Sequence, residues 1–180
     1  MILYIYSDTL YKNYNMKSPI CEICLKSGLL CTACQNKVTN GELTDSDVSI
    51  LTLLYKECSK NGDLDSIGIK KLISSKDVEL IVCSKGDGKK IVGKGGYLAK
   101  KIQDILKKPV RIVEESSNPR EFLQNIILPV PIINLNIIYS PKGEKYKIVI
   151  PRNSRLPLKL DVFNRLAKEL LGKEVEIGFE

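Results

Sequence analysis

The sequence predicts an α+β fold in which a small cysteine-rich unit with a helix precedes two similar modules in tandem. Three observations support this class: two CxxC pairs lie close together near the start, a pattern of helix, strand, strand, helix and strand follows twice, and a short polar joint, ESSNP, separates the copies. The apolar fraction of 43% is sufficient for compact cores. The predicted divisions of the chain are an N-terminal arm at 1–17, the cysteine unit and its helix at 18–62, a first module at 63–116 and a second module at 117–180.

Composition limits the class of protein. The 180 residues contain no histidine, which removes Ser-His-Asp triads, Cys-His dyads and imidazole metal ligands. No run of about eighteen apolar residues is present, so we expect no membrane span. The stretch MILYIY lacks the charged lead and small-residue cleavage site of a secretory signal. Six cysteines without such a signal are typical of the reducing cytosol and of metal binding, and we expect a cytoplasmic protein.

The cysteine unit, CEICLKSGLLCTAC, carries the most specific chemical signal. Cys21, Cys24, Cys31 and Cys34 form two CxxC pairs, and two residues between thiols let a tight turn aim both sulfurs at one point. Four thiolates in so short a stretch suit tetrahedral Zn²⁺, so we predict one structural zinc ion. Because four protein ligands leave no open coordination position, we expect no catalysis by this metal. The alternative, a redox CxxC, usually follows a strand and occurs once.

The segments on either side of this unit have simpler patterns. Residues 1–17 hold four tyrosines and no clear periodicity, which suggests an arm. After the cysteines, Thr44 or Asp45 is a suitable N-cap for a helix. The apolar residues of this helix recur at spacings of three and four positions: Val48, Leu51, Leu54, Tyr55 and Cys58. Asn61-Gly62 predicts its end.

The two modules are predicted to share one order of elements. The first is a short helix at about 64–74, a β-hairpin at 78–92 that turns at Gly-Asp-Gly, a helix at 97–108 and a strand at 110–115. The second is a helix at 118–127 capped by Asn118, a hairpin at 133–150, a helix at 158–171 and a strand at 173–180. The stretches ELIVCSKGD-GKKIV and LNIIYSPKGEKYKIV align, which places the two hairpins at equivalent positions of an internal repeat.

The copies differ where the hairpin meets the following helix. The first copy has GKGG at 93–96, whereas the second has a longer segment without glycine, IPRNSRLPLKL. Glycine lets the backbone turn sharply and lets a ligand approach closely, and the start of a helix offers free N–H groups to phosphate oxygens. A plain tight turn is the alternative. A ligand site is favoured because GKGG lies in a basic window in which nine cations outnumber Asp87 and Asp104: Lys85, Lys89, Lys90, Lys94, Lys100, Lys101, Lys107, Lys108 and Arg111.

The segment KKIVGKGGYLAKKIQDILKKPVRIV resembles a KH domain, with IVGKGG as its Gly-x-x-Gly loop. The tandem arrangement, with EESSNPREFLQNII between the copies, resembles the paired bacterial-type (type II) KH domains of NusA and of small NusA-like proteins of archaea. The cysteine unit resembles the start of an archaeal subgroup. The resemblance covers about residues 64–180 and implies that the loop clamps the backbone of about four nucleotides of RNA. It assigns to RNA the clamp residues Gly93, Lys94, Gly95 and Gly96, and the phosphate contacts Lys89, Lys90, Lys100 and Lys101.

A groove for bases is expected beside this clamp. The resemblance implies that four aliphatic residues line or support it, although all four equally suit an ordinary core: Ile91, Val92, Leu98 and Ile102. In the second copy, the stretch PRNS at 151–154 cannot provide the same backbone approach. We therefore expect a degenerate second KH domain with a structural role, in which Arg152 and Arg155 remain able to contact phosphate.

The function implied by the resemblance is that of a non-catalytic factor that binds single-stranded RNA and acts with RNA polymerase in transcription elongation or termination. A ribosomal or ribosome-associated protein of translation is the alternative, because small basic proteins with zinc knuckles and KH folds suit that setting too. An enzyme is not expected, since no catalytic constellation of acids and lysines stands out and histidine is absent. The expected partners are RNA and either RNA polymerase or the ribosome, without a membrane or a small-molecule substrate.

Overall fold

The computed structural model describes residues 16–60, 67–141 and 143–180 as an α+β protein with two small sheets. The cysteine unit contains helices α1 (Glu22–Ser27) and α2 (Thr32–Thr39), and helix α3 (Asp45–Lys60) follows. The first module has strands β1 (Ile69–Ser74) and β2 (Glu79–Cys83), helices α4 (Gly88–Val92) and α5 (Tyr97–Leu106), and strand β3 (Val110–Glu114). The second has helix α6 (Pro119–Ile127), strands β4 (Asn134–Ser140) and β5 (Gly143–Ile150), helix α7 (Leu160–Leu171) and strand β6 (Val175–Phe179).

The two sheets have the same topology. In each, an antiparallel pair of consecutive strands is extended by a third strand that runs parallel to the second, in the orders β1-β2-β3 and β4-β5-β6. Glu79 lies opposite Val110 in the first parallel pair, and Tyr146 lies opposite Val175 in the second. The two modules therefore repeat one strand topology. The stretches aligned in the sequence do not correspond throughout, because residues 88–92 form helix α4 and residues 147–149 lie in strand β5.

Apolar residues form two cores that share the first sheet. The first core joins the cysteine unit, α3 and α5 to one face of this sheet, which includes Ile81 and Cys83 of β2. The second core joins the opposite face, which includes Leu80 and Val82, to α6, α7 and the second sheet. Every residue of β2 is buried, because helices cover both of its faces. The two modules consequently pack against each other in successive layers.

The helix predicted at 64–74 is wrong, because Ile69–Ser74 forms strand β1. Ile69, Leu72 and Ile73 have the three- and four-residue spacing that is typical of a helix. The strand contains a β-bulge between Ile69 and Lys71, and a bulge shifts the alternation of side chains. Ile69 and Leu72 therefore both reach the first core, whereas Ile73 reaches the second.

The hairpin predicted at 78–92 is also wrong, because its second half forms helix α4. Strand β2 pairs with β1 on one edge and with β3 on the other, so neither edge accepts a further strand. The carboxylate of Glu114 instead accepts the N–H groups of Gly86 and Gly88, both over 3.0 Å, at the start of α4. The pair β1-β2 thus corresponds to β4-β5, and the described residues between β5 and α7 contain no counterpart of α4.

Other predicted elements are confirmed. Helix α3 begins with a reciprocal cap, since the N–H of Thr44 donates to Asp47 Oδ2 over 2.7 Å and the N–H of Asp47 donates to Thr44 Oγ1 over 3.2 Å. Asn118 caps α6 by accepting the N–H of Arg120 over 2.9 Å. Residues 1–15 of the predicted arm and the predicted helix end at 61–62 lie outside the described residues. The last two arm positions belong to the fold: residue 16 is buried in the first core, and residue 17 bridges to residue 68.

Candidate functional site

The four predicted metal ligands lie together. Cys21 and Cys31 are the N-caps of α1 and α2, and Cys24 and Cys34 follow three residues later within those helices. The four Sγ atoms lie within 4.8 Å of one another, with Cys21 Sγ 3.3 Å from Cys24 Sγ and 3.9 Å from Cys31 Sγ. A tetrahedral ion with bonds of about 2.3 Å holds sulfurs about 3.8 Å apart, so the cluster fits one structural metal ion.

Backbone N–H groups donate hydrogen bonds to these sulfurs, which favours the thiolate form that binds a cation. The N–H of Cys31 donates to Cys24 Sγ over 3.1 Å, and the N–H of Cys21 donates to Cys34 Sγ over 3.4 Å. The N–H of Cys34 lowers the pKa of the Cys31 thiol to about 7. At Cys24 the N–H of Cys31 also lowers the pKa, but burial and the neighbouring sulfurs outweigh it and raise the value to about 12. All four sulfurs become thiolates together only when a cation compensates their charge.

The cluster is built into the first core. Cys24 is 1% exposed and Leu25 is fully buried, and both pack with residues of α3 that include Leu51 and Leu54. Cys83 is buried outside the cluster, and the side chain of Cys58 lies outside the described residues. A metal at this site would therefore support the helix that joins the cysteine unit to the first sheet.

The GKGG stretch forms a tight turn between α4 and α5. Gly93, Gly95 and Gly96 have φ angles of 75°, 62° and 77°, in the left-handed region that favours glycine. A Cβ at Gly93 would lie 3.0 Å from Leu98 Cβ, whereas a Cβ at Gly95 or Gly96 would meet no atom within 4 Å. Packing therefore requires glycine at 93, and the space over 95 and 96 is open to a ligand.

Two amides of this turn have no partner in the part of the chain that the structure describes. The N–H of Gly93 donates to Lys89 O over 3.1 Å, and the N–H of Gly96 donates to Gly93 O over 3.0 Å. The N–H groups of Lys94 and Gly95 form no hydrogen bond there, and both residues are exposed. They lie at the N-terminus of α5, where the helix dipole favours negative charge. The turn is therefore able to bind an anion through its backbone.

The five lysines around the turn divide into two groups. Three are exposed and form no ion pair within the described ranges: Lys89, Lys94 and Lys100. Lys90 Nζ lies 2.8 Å from Asp87 Oδ1, and Lys101 Nζ lies 2.8 Å from Glu57 Oε1. The hydrogen bond that the Lys101 ammonium group donates to the Glu57 carboxylate raises the pKa of Lys101. Lys90 and Lys101 thus already neutralise nearly buried carboxylates.

An apolar groove runs beside the turn. One part, of about 420 Å³, lies between α4, the turn and β3, and is lined by residues that include Val92, Gly93 and Ile112. It continues into a larger part of about 590 Å³, which shares Val92 and Ile112 and extends along β3 to Val110. Strand β3 is one of the two edge strands of the first sheet, so the groove has a strand on one side and the glycine turn near its end.

The four aliphatic residues assigned to this groove have different positions. Ile91 and Ile102 are fully buried in the first core, and Leu98 is almost so. Val92 alone of the four lines the groove. Tyr97, which the sequence does not single out, follows the turn directly and is 59% exposed.

The second module supplies the opposite wall of the groove. Asn125 and Leu128, at the end of α6, line both parts, and Leu158 from the segment before α7 lines the larger part. The guanidinium of Arg111 donates to the carbonyl oxygen of Leu128 across the junction. No periodic signal along the chain marks these residues, because they take part in contacts between modules.

Between β5 and α7, where the structure describes every residue, the second module contains no glycine turn. The N–H of Ser154 donates to Pro151 O and that of Arg152 to Glu180 O, both over 2.9 Å, so these amides are already bonded. The side chains of Arg152 and Arg155 are exposed.

Comparisons with known proteins concern the fold. No protein-family model matches the sequence, and no curated protein matches it. The crystal structure of a protein named APE1850 is similar, with a TM-score of 0.56 and 20% sequence identity over 71% of this chain and 96% of that chain. Among the described residues, no helix combines the length and the apolar character needed to cross a bilayer. The mixed α+β arrangement is therefore one that an experimentally solved protein shares.

Proposed function

We propose that this chain is a non-catalytic factor that binds single-stranded RNA through its first module, a type II KH domain, and that the second module is a degenerate KH domain. The order α3-β1-β2-α4-α5-β3, with a Gly-x-x-Gly turn between the last two helices, supports this assignment. The leading helix of the domain is α3, which the sequence groups with the cysteine unit. The second module has the same order without the short helix and the turn.

The observation that carries the proposal is the pair of unpartnered amides at Lys94 and Gly95, beside an apolar groove. The amides would hold a phosphate, the groove would hold the bases that follow it, and the unpaired lysines around the turn would neutralise neighbouring phosphates. A duplex would not serve, because its bases are stacked and paired and cannot enter the groove. The net charge of +7 favours association with a polyanion.

The metal of the cysteine cluster is proposed to be one zinc ion. Four thiolates in tetrahedral spacing are the donor set of structural zinc sites. The ion would supply cross-linking of α1 and α2, and the four sulfurs would hold it without an open position. Its role is structural, since the cluster packs on α3 and does not line the groove.

The cellular setting is proposed to be transcription in the cytoplasm, in company with RNA polymerase. The resemblance of the tandem modules and their linker to NusA supports this setting. Affinity purification of the tagged chain tests it: RNA polymerase subunits should co-purify. Sedimentation with ribosomal subunits, without polymerase in the purified fraction, would contradict the setting while leaving RNA binding intact.

RNA binding is tested by the double variant Lys94→Asp, Gly95→Asp. This variant places two carboxylates where a phosphate would bind and removes one cation. Loss of one charge-assisted hydrogen bond costs about 1.5–3 kcal/mol, so the affinity for RNA should fall by about tenfold or more. The assay is fluorescence anisotropy with a labelled single-stranded RNA of about twelve nucleotides at fixed salt.

Two controls separate this effect from backbone strain. Lys94→Asn, Gly95→Asn also places a side chain on the left-handed backbone at position 95 but adds no negative charge. Its affinity for RNA should fall only by the amount that one lysine contributes. Gly172→Asp places the same side chain at another left-handed glycine, φ 68°, at the end of α7. Unchanged RNA affinity in a folded Lys94→Asp, Gly95→Asp protein would refute the clamp.

A further inference from the structure

We propose that the second module is a dimerisation surface, at which strand β4 pairs in antiparallel fashion with β4 of a second copy of this chain. This inference goes beyond the proposed RNA-binding function and does not rest on it. Strand β4 forms one edge of the second sheet, and within the described ranges it pairs with β5 alone. An edge strand offers unpaired backbone N–H and C=O groups, so it is a template for another strand.

Among the four edge strands of the two described sheets, only β4 has no charged residue; its sequence is NLNIIYS. Strand β1 carries Lys70, Lys71 and a bulge, β3 carries Arg111 and Glu114, and β6 carries Glu176. Charges and bulges are the features with which proteins keep edge strands from pairing. Three of the edges are therefore protected, and β4 is open to another strand.

The exposed apolar side chains of β4 lie on the face that bears the second core. Ile137 stands opposite Tyr146 of β5, which is buried in that core. Leu135 and Tyr139 lie on the same face, because each is two positions from Ile137 along the strand. Ile137 and Tyr139 are 47% and 75% exposed, and Leu135 is partly buried. The second core therefore ends at β4 on an apolar margin that a second strand of the same kind would cover.

The pairing of β5 with its other neighbour shows which backbone groups of β4 face outward. The N–H of Tyr146 donates to Glu174 O over 2.9 Å, beside β6. At the other end of the strand, Ile150 O accepts the N–H of Glu180 over 3.1 Å. Even-numbered residues of β5 therefore face β6, and odd-numbered ones face β4, opposite its even-numbered residues. The N–H and C=O groups of residues 135, 137 and 139 consequently point away from the sheet.

These outward groups are self-complementary in an antiparallel register centred on Ile137. Ile137 then lies opposite Ile137 of the second copy, and Leu135 lies opposite Tyr139, so each apolar side chain meets an apolar one. Each pair exchanges hydrogen bonds through groups that face outward. The N–H of Leu135, which donates to Asn134 Oδ1 over 2.8 Å in the single chain, changes its acceptor. Because both copies use the same edge, the pairing closes at two chains.

The charges beside this edge are already neutralised. The three charged residues of β5 each lie in an ion pair within the chain: Glu144 with Lys173, Lys145 with Glu174 and Lys147 with Glu176. An uncharged strand beside paired residues does not select a charged peptide, which favours a second copy as the occupant. The net charge of +7 on each chain repels at longer range, so the dimer should tighten as salt rises, whereas RNA binding should weaken.

The first test is cross-linking at one position of the register. The two Cα atoms at position 137 should lie about 5.5 Å apart, within the range that a disulfide spans. Ile133 is similarly exposed, at 45%, but lies four residues from the centre, so its two copies should be about 27 Å apart. With oxidised glutathione, Ile137→Cys should form a covalent dimer and the matched control Ile133→Cys should not. Both variants retain the cysteines of the wild type, which therefore do not explain a difference.

The second test is the molar mass in solution, measured by sedimentation equilibrium. One strand pair is a small interface, so the wild type should dimerise with a dissociation constant of about 1–100 μM. Ile137→Lys places two ammonium groups opposite each other and should weaken the dimer by about tenfold or more. Because Ile137 is half exposed in the single chain, the circular dichroism spectrum of this variant should remain that of the wild type.

The outcomes are distinct from those that test RNA binding. A wild type that stays monomeric at about 500 μM would overturn the dimer and leave this edge to a strand of a different protein. Equal cross-linking of the two cysteine variants, or a dimer that Ile137→Lys leaves unchanged, would also overturn it, because the copies would then meet through another surface. Lys94→Asp, Gly95→Asp, which is designed to lose RNA, should dimerise as the wild type does.

Discussion

Replacement of Cys24 by serine should remove the metal and destabilise the first core. Cys24 is 1% exposed and its Sγ lies 3.3 Å from that of Cys21, so the variant loses a buried ligand and not a surface group. A hundredfold loss of metal affinity corresponds to about 2.7 kcal/mol at constant free metal. Burial of a poorly paired hydroxyl adds about 1 kcal/mol or more. The sum of about 4 kcal/mol is a large part of a total stability of about 5–15 kcal/mol.

The assay combines metal analysis of the purified protein with thermal unfolding followed by circular dichroism. A chain of this length loses about 2–4 °C for each kcal/mol, so Cys24→Ser should melt about 8–16 °C below the wild type. The wild type should carry one metal ion per chain, and a strong chelator should lower its melting temperature by a similar amount.

Cys83→Ser is the matched control. Cys83 is equally buried but lies outside the cluster, so this variant should keep one metal ion and lose only the energy of placing a hydroxyl in the core. A metal-free wild type that melts at the same temperature as the metal-bound protein would refute the reasoning, because it would show that the ion does not support the core.

Three further predictions concern single groups. Burial raises the pKa of the Cys83 thiol from 9.0 to about 12, so this thiol ionises at lower pH in the unfolded chain than in the folded protein. The free energy of unfolding should therefore fall as the pH rises from about 9 to about 12. Urea midpoints measured across this range should fall less in Cys83→Ala than in the wild type. Thr44→Ala removes the hydroxyl that accepts the N–H of Asp47 and should cost about 1 kcal/mol in urea unfolding; no change would mean that the cap is dispensable. Lys100→Ala should lower the slope of log affinity against log salt by about 0.7 for single-stranded RNA. Lys101→Ala should leave the slope unchanged, because the Lys101 ammonium group lies 2.8 Å from a buried carboxylate in the wild type. Equal slopes for the two variants would contradict the division of the lysines into paired and unpaired groups.

Local sequence signals predict much of the fold. The second module has the predicted helices and hairpin. Asn118 caps α6, and β4 pairs directly with β5, the strand that follows it in the chain. The first module departs from its predicted hairpin because β2 has no unpaired edge. Whether a short apolar segment becomes a strand or a helix therefore depends on which edges its neighbours occupy, and a single sequence does not show this.

The candidate sites follow the same division. The glycine turn is visible in the sequence, because its conformational freedom is a property of the residues themselves. The division of the lysines into paired and unpaired groups is not visible, since Glu57, the partner of Lys101, comes from a helix forty-four positions away. The opposite wall of the groove is likewise built by another module.

The sequence by itself determined the cysteine cluster, the helix caps and the glycine turn, because each depends on residues close together in the chain. The tertiary structure alone decided that residues 69–74 are a strand, that residues 88–92 are a helix, and that the second module builds one wall of the groove beside the glycine turn. The physical reason is that strand pairing and the satisfaction of buried polar groups depend on elements that are distant in the chain, and these come together only when both cores form.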